Sequence, residues 1–79
     1  MTKEEIIARL NELEAERQEI VAEQGQIDYL SSLMLSDEAC RAEEYRHMLS
    51  RRQALVNIRA RKWEHDIAEV EKEADALAA

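Results

Sequence analysis

Proline is absent from the 79 residues and glycine occurs once, at Gly25. The residues that usually build turns are therefore missing, and irregular structure is disfavoured along most of the chain. A single cysteine, Cys40, excludes an internal disulfide. A domain of this size buries a modest share of its surface, so without a disulfide the expected support is self-association or a partner. Aromatic residues make up only 4% of the chain, as Tyr29, Tyr45 and Trp63, which leaves little with which to stack nucleic-acid bases. No apolar run approaches the length of a membrane span. The first residues, Met1-Thr2-Lys3-Glu4-Glu5, are too acidic for a signal peptide. With a lone thiol that suits a reducing compartment, the expected location is cytoplasmic.

What the chain does hold is charge and periodicity. Charged residues are 37% and hydrophobic residues 46%, with a net charge of −7. This is the composition of long helices and coiled coils, and the periodic apolar content argues against disorder. Thr2 followed three residues later by Glu5 is a capping box, so a helix is expected from about residue 3. Ile6, Leu13, Ile20, Ile27 and Met34 form a heptad column, with Leu10, Arg17, Gln24 and Ser31 as its companion. Ile7, Val21, Leu30 and Leu33 widen the apolar face. The phase is unbroken across Gly25, which predicts a continuous helix there, bent weakly or packed closely against a neighbour.

Leu35-Ser36-Asp37 is the expected turn, with Ser36 or Asp37 capping a second helix that starts at Glu38 and ends near Leu77. In that helix Val56, Ala60, Trp63, Ile67, Val70, Ala74 and Leu77 alternate in steps of four and three. The expected fold is all-α: one domain over residues 1–79, an antiparallel hairpin of two long helices (about 3–34 and 38–77) that dimerises into a four-helix bundle or coiled coil.

Charge is segregated along the chain. Residues 1–38 carry −7, residues 39–62 carry +5 and residues 63–79 carry −5. Folding the chain at Ser36 lays the basic stretch Arg41–Lys62 against the acidic first helix, with facing residue numbers adding to roughly 72. That register pairs Glu12 with Arg59 and Glu19 with Arg52, and a parallel pairing would set Glu against Glu. It also leaves the second helix projecting beyond about residue 69. Apolar residues that a two-helix hairpin cannot cover are expected at an interface with a second copy or a foreign partner: Trp63, Ile67, Val70, Leu77, Val21, Met48 and Leu55. Trp63 reads either as a core residue of a dimer or as a partner anchor.

Chemistry-bearing constellations are sparse. Glu44-Tyr45-Arg46-His47 has Glu-x-x-His spacing, and His47 with Glu43, or His65 with Glu69, has helical spacing, but each also describes a solvated helix face; no metal or other cofactor is expected. No nucleophile stands near a base, no glycine-rich phosphate loop is present, and Cys40 reads as a packing residue, so no enzymatic activity is expected. The arginines of 41–62 could meet phosphates, although pairing with the acidic helix accounts for them more simply. Glu14, Glu16, Glu23, Glu69, Glu71, Glu73 and Asp75 could together imitate a nucleic-acid backbone. The leading expectation is a non-catalytic protein–protein interaction module. It would be a small regulator, adaptor or inhibitor of host machinery, of the kind phages and plasmids carry, binding a basic partner through helix faces. The alternatives are a nucleic-acid-binding hairpin using 41–62 and an acidic DNA mimic.

Overall fold

Thr2 and Glu5 start the first helix as their spacing predicts. The Glu5 backbone N–H donates to Thr2 Oγ1 at 3.2 Å and the Thr2 N–H donates to Glu5 Oε1 at 3.5 Å. In the computed structural model this helix, α1, spans Lys3–Ser36, and a second helix, α2, spans Glu43–Ala78. The structure describes residues 1–36, 38 and 42–79, with Leu35 by its backbone alone. The two helices lie antiparallel against each other as an all-α hairpin measuring 58 × 15 × 14 Å. Its radius of gyration, 17.7 Å, far exceeds the roughly 11.6 Å expected of a globular chain of this length. The hairpin is one layer thick.

Gly25 lies inside α1, as the heptad phase requires. A Cβ built there meets nothing within 4 Å, so the glycine serves no close helix approach.

The turn lies further along the chain than the sequence suggests. Leu35 and Ser36 belong to α1, and α2 begins only at Glu43. Ala42, with φ −60° and ψ 146°, occupies the N-cap of α2 without a side-chain hydrogen bond, so Ser36 does not cap it. Asp37, Cys40 and Arg41 lie outside the described residues. The displaced connection moves the hairpin's centre from Ser36 to about Glu38. Facing residue numbers consequently add to about 76, as the Trp63 indole on Leu13 shows, rather than 72.

This register sets the heptad column of α1 against that of α2. It places Ile6 with Val70, Leu13 with Trp63, Ile20 with Val56 and Ile27 with Leu49. Two clusters result: Ile6, Leu13 and Val70 toward the open end, and Ile27, Leu49 and Val56 toward the connection. Those six are the buried hydrophobic side chains among the described residues, and Leu13 alone of them reaches zero exposure. Each fully buried aliphatic side chain contributes about 1.5–3 kcal/mol. Val70 does not project beyond the first helix. It is buried under Ile6, because the longer connection carries α2 four residues further along α1.

Candidate functional site

The central column has a flank on either side, and the two flanks differ. On one, residues 9, 16, 23 and 30 of α1 face residues 66, 59, 52 and 45 of α2. All eight are half-buried, although six of them are charged: Arg9, Glu16, Glu23, Arg52, Arg59 and Asp66. Their stems cover the core, and all but Glu16 pair across the helices. Arg9 Nη2 meets Asp66 Oδ2 at 3.2 Å, and Arg52 meets Glu23 Oε1 through Nη2 at 2.7 Å and Nε at 2.9 Å. Arg52 also donates to Gln26 Oε1 at 3.0 Å, and Arg59 meets Glu19 Oε2 at 2.9 Å. At the open end the N-terminal ammonium approaches Glu73 Oε2 at 3.3 Å.

These pairs correct the expected charge code in detail. Glu19 pairs with Arg59, not Arg52; Arg52 pairs with Glu23; and Glu12 pairs within its own helix, accepting from Arg9 Nη1 at 3.0 Å. The two-residue shift of the hairpin centre is the cause. It carries the arginines further along α1, so that Arg52 moves one helical turn, from Glu19 to Glu23, and Arg59 two turns, from Glu12 to Glu19. The basic stretch does lie against the acidic helix.

Lys62 donates to Asp66 Oδ2 at 2.9 Å. That bond, its positive charge and those of Arg9 and His65 hold the Asp66 carboxyl below its usual range, outweighing the desolvation that opposes them. Arg17 does the same to Glu14 through bonds of 2.7 and 2.9 Å, and its own guanidinium is raised in return, chiefly by the Glu14 hydrogen bond.

Two aromatic side chains tie α2 to the backbone of α1. Trp63 Nε1 donates to the Leu13 carbonyl at 2.7 Å and Tyr45 Oη to the Leu30 carbonyl at 2.8 Å. Both rings are half-buried against the two clusters. Trp63 is thus a core residue of the hairpin, with its polar atom satisfied.

The other flank is more open. Gln24 and Gln53 exchange a reciprocal pair of amide hydrogen bonds of 2.9 and 2.7 Å across it. Toward the open end it turns apolar. Lys3, Ile6, Ile7, Ala74, Leu77 and Ala78 line a groove of about 460 Å³ there. Ile7 is 50% and Leu77 55% exposed, with Leu10 and half-buried Ile67 one turn further in.

Of the residues expected at an interface, Val21, Leu55 and Leu77 are exposed. Trp63, Ile67 and Met48 are half-buried against the clusters, and Val70 is buried. Sequence reasoning passed over Ile58 and Tyr29 as interface candidates, although at 62% and 64% they are among the most exposed large hydrophobic residues of those described. Each lies two heptad positions from the core column on the outward side, a signal the helical period carries. Ile58 stands with Leu55 beside Glu23, Arg52 and Arg59 in a cleft of about 330 Å³. Tyr29 and Val21 lie on the outer side of α1, with Asp28 next to Tyr29 and Arg17, Gln18 and Gln24 one turn from Val21.

Among the described residues no group of three or more His, Cys, Asp and Glu side chains is placed to hold a metal ion. His47 Nε2 stands 3.7 Å from Glu43 Oε1 on an exposed surface. No described helix is long and apolar enough to cross a membrane. Comparison with protein-family profiles, characterised proteins and solved structures finds no match to this chain.

Proposed function

We propose that the chain is a non-catalytic protein–protein interaction module, a small cytoplasmic regulator or inhibitor that works as a homodimer and engages a basic partner protein. One observation carries the reading. Among the described residues the hairpin buries six hydrophobic side chains and leaves eight large ones exposed, namely Met1, Ile7, Leu10, Val21, Tyr29, Leu55, Ile58 and Leu77. A one-layer fold with this ratio has most of its apolar faces available for recognition. The acidic surface of α1 would steer a basic partner toward Val21 and Tyr29, which act as the apolar contacts.

The competing nucleic-acid reading loses support from the ion pairs. Arg52 and Arg59, central to the basic stretch, are engaged by Glu23, Gln26 and Glu19. Their charge is offset within the hairpin.

Affinity capture from the native host, comparing the wild type with Val21→Ala/Tyr29→Ala, tests the proposal. The expected result is a basic protein retained by the wild type and lost with the variant. Binding to DNA or RNA that falls steeply with salt, and disappears when Arg51, Arg52, Arg59 and Arg61 become alanine, would replace this reading with the nucleic-acid one.

A further inference from the structure

We propose that the open-end flank, the surface around Ile7, Leu10, Ile67, Ala74 and Leu77, is where a second copy of this chain docks, so that the same residues from both copies meet. The inference deepens the interaction-module reading and rests on it: one surface is assigned to self-association, leaving the acidic side of α1 for the partner.

Area argues for an occupant of this size. The hairpin exposes 5967 Å², whereas a compact monomer of its mass exposes about 4,900 Å². The excess, roughly 1,000 Å², is close to the ~800 Å² that each partner contributes to a stable interface of standard size.

Charge argues for which occupant. Each copy carries −7, so two copies repel wherever their acidic surfaces approach. Lys3 is the one charged residue lining the open-end groove among the described residues. A basic protein would be drawn to surfaces dense in Glu and Asp and would gain little here. A charge-poor apolar face is instead where two like-charged copies can touch at least electrostatic cost. The other exposed apolar pair, Leu55 and Ile58, shares its cleft with three charged side chains, Glu23, Arg52 and Arg59, whose heads a docked copy would have to desolvate.

The two occupants predict opposite salt effects. Screening weakens attraction to a basic partner but relieves repulsion between acidic copies. Sedimentation equilibrium of the full chain should show a dimer whose dissociation constant falls severalfold between about 20 mM and about 300 mM NaCl. Ile7→Ala/Leu77→Ala should weaken it by at least about tenfold, from the apolar area removed. Both sites are exposed and alanine favours helix, so the variant monomer keeps its helical circular dichroism. Leu55→Ala/Ile58→Ala should leave the dimer intact.

A folded monomer at about 100 µM would overturn the proposal, and the partner reading would still stand or fall on the capture experiment. A dimer indifferent to Ile7 and Leu77 but broken at Leu55 and Ile58 would also overturn it, by placing self-association on the flank of the ion pairs.

Discussion

Gly25 and Trp63 mark the two extremes of how single residues serve this hairpin. Gly25 contributes nothing that a side chain would prevent: its surroundings are open and α1 runs through it. Glycine in such a position costs helix stability through the conformational freedom it keeps in the unfolded chain. Gly25→Ala is therefore expected to stabilise the fold by about 0.5–1 kcal/mol, read as a higher thermal midpoint. Loss of stability would mean that α1 bends there in solution. Trp63 does the reverse, filling the core beside Leu13 while its N–H finds a carbonyl. Its place in the heptad column made the packing legible from sequence. The hydrogen bond was not legible, because it depends on a register that only the connection fixes.

At the scale of the element, the apolar columns of both helices were readable and the flanks were not. Hydrophobic periodicity selected Leu10, Arg17, Gln24 and Ser31 as the companion column of α1. The structure half-buries only Gln24 of that column, and Arg9, Glu16, Glu23 and Leu30 together on the opposite flank. A pattern that counts only apolar residues misses charged side chains that bury their stems. The register was hidden for a related reason. Heptad columns face each other equally well in neighbouring registers, so the choice falls to the length of the connection, and Ser36 and Glu38 gave no warning that α2 would start at Glu43. The start of α2 has no side-chain cap. Ala42 already has the extended backbone of an N-cap but lacks an oxygen to offer the first turn. Ala42→Ser is expected to add about 1 kcal/mol. In a domain of this length that raises the thermal midpoint by roughly 4–8 °C. An unchanged midpoint would show that the first turn of α2 is frayed in the native state.

The whole molecule is a thin rod whose stability depends on charge at both long and short range. Asp66 and Glu14 have folded-state carboxyls held below their ordinary values of 3.8 and 4.5, chiefly by bonds to Lys62 and Arg17 respectively. Between the folded and unfolded values the unfolded chain binds more protons. Their contribution is thus fully present above the ordinary values and is lost as pH falls through the lowered ones. The thermal midpoint should drop as pH falls below these ordinary values. Asp66→Asn should flatten that drop by removing the carboxylate that Lys62 and Arg9 share. An equally steep fall in the variant would assign acid sensitivity to the remaining carboxylates.

An antiparallel register has a kinetic consequence as well. Near the connection, Tyr45 reaches Leu30 across only 15 residues of chain, whereas the N-terminal ammonium reaches Glu73 across 72. Closing a loop costs more entropy as it lengthens, so contacts form most cheaply beside the connection and each one shortens the loop left for the next. The hairpin should therefore zip from the Ile27–Leu49 layer toward the Ile6–Val70 layer and open in the reverse order. The groove between Ile7 and Leu77 is the last surface to be assembled. A second copy docking there would act as a clasp, holding shut the end of the zipper that opens first.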